Sequence, residues 1–387
     1  MKTNVKLLLV ILLLTIVKNL SAQWEMTSGP PSANVLTECI SGPNLFSGAS
    51  GFVYLTTNNG DTWTLASNGL NGSTVSALAV SGSTIYAAAG NSVFQSPDNG
   101  LNWINTSYGL PGYNVNSLTV NNGNIYAGTF GVYLSTNNGL TWNKISNGWN
   151  AMVTSVAVRG DTILAATLTD GIHMSLDNGN TWCTINSGLP SQVNSVFIYG
   201  SIFLSGTNYG LYRSIDNGNY WSSTNLTAAT GQIVAIGINI FAAGNQDGGV
   251  FSSINEGYTW SAINLGLTNL TVFSLAIGDI YLFAGTSGYV WRRLLSEIVV
   301  NIENNSKYDE VRIYQDDITS QIIIISRYSN SFKLHIYDIT GRRITSTNID
   351  KEIKFIDKNN LISGIYLFQF IDYNEQNRII TKTLLIK

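Results

Sequence analysis

The sequence predicts an all-β protein, a seven-bladed β-propeller closed by an N-terminal strand and followed by a small C-terminal Ig-like β-sandwich. Three observations support this fold class. Tryptophans recur every 39 or 40 residues, Gly-rich turns separate short apolar segments, and this repeat stops well before the end of the chain. A period near 40 residues with several short strands per unit is typical of propeller blades.

The first 22 residues have the pattern of an export signal. Lys2 and Lys6 precede an apolar run from Leu7 to Val17, and Leu20-Ser21-Ala22 offers a small-residue cleavage site before Gln23. The run is too short to span a bilayer, which takes about 20 helical residues. We therefore predict a signal peptide at residues 1–22 and a mature chain without a transmembrane segment.

Composition restricts the class of partner. Hydrophobic residues make up 44% of the chain and charged residues only 11%, which is the profile of a globular protein. Residues 24–293 carry five Lys and Arg against eleven Asp and Glu, and no basic stripe runs through them. A nucleic-acid partner is therefore not expected. The two cysteines, Cys39 and Cys183, fall three blades apart in the repeat, and we predict that both are buried and unpaired.

The tryptophan repeat defines the blades. Each unit has an inner strand, a tight turn, two further strands and then a turn of the type Ser-x-Asp-Asn-Gly-x-Thr-Trp before a short outer strand. The repeating tryptophans are Trp63, Trp103, Trp142, Trp182, Trp221 and Trp260. We place the starts of six inner strands at Val35, Val75, Val115, Val153, Val193 and Ile233.

The turn before each tryptophan has a mechanical role. Its Asp or Asn side chain is expected to accept backbone N–H groups, as Asx turns do, and its Gly supplies a positive φ angle. These turns resemble the Asp-box, and the matching positions are Asn58, Asp98, Asn137, Asp177, Asp216 and Asn255. We read them as structural rather than catalytic.

Blade counting predicts how the ring closes. A seventh unit begins at Val272 and reaches Trp291, but it has no turn of this type and no fourth strand. Trp24 lies 39 residues before Trp63 and has the outer-strand pattern without preceding strands. We therefore expect the N-terminal strand to complete the last blade, which removes the free edges of the sheet. The predicted propeller covers residues 23–293.

The C-terminal region has a different pattern. Residues 294–310 read as a linker, and alternating strands from Val311 to Lys387 predict a small β-sandwich. Two stretches, Leu334–Ile344 and Leu361–Leu367, resemble the type A sorting domain of the type IX secretion system. In that family Asp338 and Gly341 match a hairpin turn, and Gly364 and Tyr366 match a shared strand. The resemblance implies export through the type IX machinery to the exterior or the outer cell surface.

The propeller resembles a broad superfamily that includes sialidases, xyloglucan-cleaving hydrolases, sortilin-like receptors and the photosystem II assembly factor. Fold alone does not select among these activities. Arg213 and Arg292 occupy matching positions in separate blades, so they are not expected to form the arginine cluster of a sialidase. A xyloglucan-cleaving site lies between two propellers in its family, and this chain has one.

Three carboxylates are the catalytic candidates. Asp170 and Asp247 fall in loops of blades four and six on the face opposite the repeat turns, and glycoside hydrolysis needs two carboxyl groups about 5–9.5 Å apart. Glu38 lies in a column of apolar residues, so it must pair, reach water or change its pKa. We expect it to reach the wet channel, with a role in a site as the alternative. The column's other members are Leu78, Leu118, Val156, Val196, Ile236 and Leu275.

Aromatic residues on the face opposite the repeat turns form the predicted ligand surface, which suits a glycan or a protein: Tyr108, Tyr113, Phe130, Trp149 and Tyr209. His173 falls in a column of large aromatic residues and is expected in the core. The chain has only two histidines, so no metal site is predicted, and no cofactor motif is found.

We therefore predict a secreted or surface-displayed binding module that uses no cofactor. The alternatives left open are a glycoside hydrolase that uses Glu38, Asp170 and Asp247, and a structural or adhesive protein of the cell envelope.

Overall fold

A computed structural model describes residues 23–30, 33–299, 311–316, 321–326, 332–338, 342–349, 353–357, 361, 364–372 and 378–386. The chain divides into two compact units, Met1–Val300 and Asn301–Lys387. Within the described ranges, none of the helices has the length and apolar character to cross a membrane. The predicted signal peptide, most of the predicted linker and Gly341 lie outside the described residues.

The described part of the N-terminal unit consists of antiparallel sheets, one for each blade: those of blades 1 to 6 have four strands and that of blade 7 has five. Blade 1 contains β3 (Thr37–Ser41), β4 (Asn44–Gly48), β5 (Val53–Thr56) and β6 (Thr64–Leu65). Blade 2 contains β7 (Val75–Ser81), β8 (Thr84–Ala89), β9 (Ser92–Ser96) and β10 (Ile104–Asn105). Blade 3 contains β11 (Ser117–Asn121), β12 (Asn124–Thr129), β13 (Gly131–Ser135) and β14 (Asn143–Lys144). The outer strands are two residues long, which leaves each blade little exposed edge.

The next three blades repeat this order. Blade 4 contains β15 (Val153–Arg159), β16 (Thr162–Thr167), β17 (Ile172–Ser175) and β18 (Cys183–Thr184). Blade 5 contains β19 (Val193–Tyr199), β20 (Ile202–Thr207), β21 (Gly210–Ser214) and β22 (Ser222–Ser223). Blade 6 contains β23 (Thr230–Ile236), β24 (Asn239–Gly244), β25 (Gly249–Ser253) and β26 (Ser261–Ala262).

Blade 7 is completed from the N-terminus, as predicted. Its strands are β27 (Val272–Ile277), β28 (Tyr281–Gly288), β29 (Val290–Leu294) and the N-terminal β1 (Glu25–Met26), with β2 (Ala33–Asn34) paired to the end of β28. β1 runs antiparallel to β29, and Met26 lies opposite Trp291. Helix α1 (Leu295–Ile298) follows β29. Each inner strand contacts the next around the ring, from β3 through β27 and back to β3, which confirms the closed seven-bladed fold.

The turns between the third and fourth strands are built by one hydrogen-bond pattern in blades 1 to 6. In blade 4 the Ser175 hydroxyl accepts the Gly179 N–H at 2.8 Å and donates to Asp177 Oδ1 at 2.8 Å. Asp177 Oδ1 also accepts the Thr181 N–H at 2.8 Å. The same three bonds recur in the other five turns. This pattern explains why Asp and Asn alternate freely there, since only one side-chain oxygen is required.

The repeating tryptophans join neighbouring blades. Trp103 Nε1 donates to the Ala66 carbonyl of blade 1 at 2.8 Å, and Trp142, Trp182 and Trp221 make the equivalent bond to their preceding blades. Trp24 Nε1 donates the equivalent bond to the Ile263 carbonyl of blade 6 at 2.7 Å. Trp24 is 2% exposed, so the N-terminal segment performs the part of the seventh tryptophan.

Two details differ from the sequence prediction. Ile233 pairs with Ala242, as Val196 pairs with Ser205, so the blade 6 strand begins at Thr230 rather than at Ile233. Ile233, not Ile236, therefore belongs to the Glu38 column. The apolar run Ile233-Val234-Ala235-Ile236 fits either register, and the turn at Gly237 decides it.

The prediction that both cysteines are buried is wrong for Cys183, which is exposed on β18, while Cys39 is half-buried. Both residues of β18 are exposed, so this two-residue outer strand covers neither side chain. Both thiols are free, as predicted.

The C-terminal unit has two antiparallel sheets. The first has the order β30 (Val311–Asp316), β31 (Gln321–Ser326) and β34 (Ile353–Asp357). The second has the order β33 (Arg343–Ile349), β32 (Phe332–Asp338), β35 (Gly364–Asp372) and β36 (Arg378–Ile386). Asp338 accepts the Arg342 backbone N–H at 3.1 Å and its Nε at 3.0 Å at the end of β32, and Tyr366 is buried opposite Asp338.

Candidate functional site

A groove with two aromatic rings and a methionine in its wall lies on the face opposite the repeat turns, between blades 3 and 4. Tyr113 comes from the loop before β11, Phe130 from the loop between β12 and β13, and Met152 from the loop before β15. Their side chains are 58%, 39% and 47% exposed. The groove encloses about 250 Å³ and is also lined by Gly112, Asn114 and Thr129.

Backbone pairing positions the groove residues. Phe130 and Met152 form an antiparallel bridge, and the N–H of the next residue, Gly131, donates to the Ala151 carbonyl at 3.0 Å. The Tyr113 and Phe130 rings lie 5.2 Å apart with planes inclined by 39°. Gly131 has φ +108°, and a Cβ there would lie 2.4 Å from the Ser146 hydroxyl. The backbone therefore presents the two rings and Met152 as a fixed surface.

Of the five predicted aromatic residues, the structure brings Tyr113 and Phe130 together. Tyr108 and Tyr209 are more exposed, at 79% and 68%, and neither lines the groove. Trp149 is half-buried and stacks on His173, with ring centroids 4.0 Å apart and planes inclined by 9°. Its ring serves packing, and His173 is buried as predicted.

Met152 is the groove residue that sequence reasoning missed. Its position directly before an inner strand was the only signal that the sequence offered, since thioether side chains adapt to surfaces of varied shape. Lys144 lies behind the groove and donates to the Trp149 carbonyl at 3.4 Å and to the Asn150 side chain. These bonds hold the loop that carries Met152.

The three catalytic candidates come from separate parts of the ring. Asp170 accepts the Thr169 hydroxyl at 3.0 Å in the blade 4 loop, and Asp247 accepts the Thr271 hydroxyl at 2.9 Å in the blade 6 loop. Glu38 lies on the inner strand of blade 1. None of the three lines the groove, and the described residues contain no group of three or more His, Cys, Asp or Glu suited to a metal ion.

The propeller axis holds a channel of about 540 Å³. Around it runs a belt of neutral polar groups, each of which accepts a backbone N–H of the following blade. The accepting side chains, each with the residue whose N–H donates to it, are Thr37 with Leu78 (3.0 Å), Ser117 with Val156 (3.0 Å), Ser155 with Val196 (3.3 Å) and Gln232 with Leu275 (2.8 Å). The channel walls thus use their hydroxyl and amide groups to join blades.

The belt changes where blade 7 meets blade 1. There the Ser274 hydroxyl donates to Glu38 Oε2 at 3.0 Å. Glu38 is only 4% exposed and does not line the channel, so our expectation that it reaches water is wrong. Burial raises the pKa of Glu38 to about 8, with the hydrogen bond from Ser274 opposing the shift.

The two arginines singled out in the sequence have structural partners in the following blade. Arg213 Nε donates to the Glu256 carbonyl at 2.9 Å, and Arg292 Nη1 donates to the Asn59 carbonyl at 2.8 Å. Arg292 also pairs with Asp61 at 2.7 Å. Each arginine therefore fastens the repeat turn of its neighbour, and they do not converge on a common site.

Residues 312–387 match the family model described as the secretion system C-terminal sorting domain. This part of the chain is a type IX sorting tail, so the protein is secreted or attached to the cell surface. A search of curated proteins finds no relative of the chain.

Solved structures are similar to the chain in fold. PorZ, a bacterial surface component of the type IX secretion system of Porphyromonas gingivalis, is 13% identical with a TM-score of 0.56, and the match covers 92% of this chain and 59% of PorZ. YCF48 bound to a D1 peptide is 15% identical with a TM-score of 0.58, covering 73% of this chain and 97% of YCF48. A xyloglucanase from Xanthomonas campestris is 12% identical with a TM-score of 0.57, covering 93% of this chain and 68% of the enzyme.

Proposed function

We propose that the propeller is a non-enzymatic binding module, displayed or released outside the cell, and that it holds an apolar segment of a protein ligand in the groove of Tyr113, Phe130 and Met152. The observation that carries the proposal is the exposure of these three side chains on a backbone that fixes them. Exposed apolar side chains clustered in a concave surface are typical of recognition sites.

The composition of the groove favours a protein ligand over a glycan. The two rings are inclined to each other by 39°, so they form a notch rather than a flat platform. No charged side chain is among the six residues that line it. A methionine beside two aromatic residues suits aliphatic side chains of varied shape. YCF48, a propeller of similar fold, is bound to a D1 peptide in its solved structure, which supports a peptide ligand.

The test is binding by the full-length secreted protein to a peptide array and a polysaccharide panel. We expect binding to peptides with aliphatic residues, and at least a tenfold loss of affinity in the Tyr113→Ala, Phe130→Ala double variant. Tyr209→Ala is the matched control, since it removes an exposed aromatic side chain outside the groove. Peptide binding that survives the double variant, or that Tyr209→Ala reduces equally, would contradict the proposal.

A glycoside hydrolase is the second candidate, supported by the xyloglucanase fold likeness and by the raised pKa of Glu38. Buried Glu38 lies on blade 1, while Asp170 and Asp247 lie on loops of blades 4 and 6, which opposes a shared substrate. Release of reducing sugar that Glu38→Gln and Asp170→Asn abolish would establish it. Attachment of the protein to cells without either kind of ligand would favour a structural role in the envelope.

A further inference from the structure

The seam between blade 7 and blade 1 is one of three that depart from the commonest contact, and it is the one that carries a carboxyl group: the equivalent residue is Ala77 in blade 2, and in blade 5 Ser195 donates to the Gly231 carbonyl. At four seams a neutral side chain on an inner strand accepts a backbone N–H of the next blade. At the closing seam the equivalent residue, Ser274, donates to the carboxyl group of Glu38. Both residues are buried, at 0% and 4% exposure. A titratable group therefore replaces a permanent neutral contact where the ring is joined.

The carboxyl group is incompletely satisfied. Oε2 accepts from the Ser274 hydroxyl at 3.0 Å, and Oε1 has no partner of good hydrogen-bond geometry within the described residues, although the Gly285 N–H and the Ser47 hydroxyl lie near enough to lower the pKa of the carboxyl group in part. A buried carboxylate is costly unless several donors surround it, while a neutral carboxylic acid is tolerated there. The surroundings of Glu38 therefore favour the protonated form.

Among the residues that the structure describes, no positive charge faces Glu38 from the strands packed around it. Cys39, its neighbour on β3, is a thiol whose pKa burial raises, so it stays neutral. β4, β7 and β27 carry no titratable side chain, and β28 carries Tyr281, whose ring packs against Arg292 rather than Glu38. Glu38 is thus the group whose ionisation changes the charge of this seam.

The seam also holds the N-terminal segment that closes the ring. Val35 is fully buried and its N–H donates to the Thr286 carbonyl of blade 7 at 3.0 Å, three residues before Glu38. On its N-terminal side the same segment forms β2 and β1, which pair with β28 and β29. Displacement of Glu38 toward water would pull directly on this segment.

We propose that Glu38 makes ring closure sensitive to protons: the neutral carboxyl group holds blade 1 against blade 7, and its ionisation loosens this seam and frees the N-terminal strand. The sign follows from linkage. With Glu38 at its ordinary value of 4.5 in the open form and near 8 in the closed form, closure takes up a proton. Closure is then strongest below pH 4.5 and weakens as the pH rises toward 8.

The test is hydrogen exchange of the full-length protein between pH 6 and 8, with each amide corrected for its intrinsic rate. Each pH unit between the two pKa values changes the closing equilibrium tenfold, and Glu38 is half-ionised in the closed form near pH 8, so protection of β1 should fall by about 50-fold across this range. The outer strand of blade 2, β10, is the internal reference and should not change. Glu38→Gln keeps the shape of the side chain and should abolish the dependence on pH.

Ser274→Ala is the second variant. It removes a bond that stabilises the carboxylate, so it should raise the closed-form pKa further and extend the fall in protection to higher pH, while the onset of the fall, set by the open form, stays the same. Should Glu38→Gln fail to fold, two results still decide the question. One is the pH dependence of exchange protection in wild-type β1 relative to β10, and the other is the change of that dependence in Ser274→Ala. Equal slopes in β1 and β10, or a wild-type slope retained in Glu38→Gln, would overturn the proposal.

Discussion

Replacement of Trp24 by alanine tests whether the N-terminal segment supports the whole propeller. Trp24 is 2% exposed and packs against Leu267 and Trp291 in the core between blades 6 and 7. A buried Trp→Ala change costs about 3–5 kcal/mol through lost transfer energy and the cavity left behind. The lost hydrogen bond adds little, because the Ile263 carbonyl still accepts Arg293 Nη1 at 2.8 Å. We expect a loss of about 4 kcal/mol, a large part of the 5–15 kcal/mol typical of a domain.

The assay is urea unfolding followed by tryptophan fluorescence. All nine tryptophans lie between residues 24 and 291, so the signal reports on the propeller and not on the sorting domain. Trp103→Ala, at an equivalent buried position inside the ring, should cost a similar amount. Leu101→Ala, at a side chain 69% exposed, should change the free energy of unfolding by less than about 0.5 kcal/mol. A Trp24→Ala loss no larger than that of Leu101→Ala would refute the role of the N-terminal strand.

Three further predictions concern the turns and thiols. Ser175→Ala removes the acceptor for the Gly179 N–H, so thermal unfolding should show a loss of about 1–3 kcal/mol, and an unchanged melting temperature would contradict this role. The Thr181 backbone N–H and then its hydroxyl lower the pKa of Asp177, so this group's stabilisation is lost as the pH falls through its folded pKa. Asp177→Asn should keep the native fold at pH 7 and reduce this acid loss in a pH series of melting temperatures, and an unchanged series would contradict the assignment. A thiol reagent should label exposed Cys183 in the native protein and the more buried Cys39 only after unfolding. Rapid labelling of both thiols in the native protein would contradict this prediction, because it would show that the seam near Cys39 opens readily.

The blade count and the closure could be predicted because they depend on local chemistry repeated many times. Each turn needs a Ser or Thr, an Asp or Asn, a Gly and a Trp at set spacings, and Trp24 keeps that spacing without preceding strands. The sequence prediction placed the inner strand of blade 6 in the wrong register because the run Ile233-Val234-Ala235-Ile236 fits the apolar pattern in two alignments. The turn at Gly237 resolves the ambiguity, since equivalent two-residue turns follow the inner strands of blades 1 to 5.

The site was harder to predict because it depends on side-chain direction. Tyr113 and Phe130 were on the aromatic ligand surface predicted from sequence, but Trp149 in the same set packs on His173. Met152 carried no motif and entered the groove through its bridge to Phe130. For Glu38 the sequence showed an anomaly in an apolar column, but whether its carboxyl group faces the channel or Ser274 depends on the packing of two blades that are distant in sequence.

The ends of the propeller leave from the same blade, and this arrangement has a mechanical consequence. β29 leads into α1 and towards the sorting tail, and β1, paired along it, leads back to the N-terminus. Tension applied through the tail would therefore reach blade 7 first and would separate the two-residue ladder between Glu25–Met26 and Trp291–Arg292 one pair at a time. Blades 1 to 6, whose four strands are each continuous in the chain, would be spared until that ladder opened. Under tension, blade 7 would therefore open before the rest of the ring unfolds.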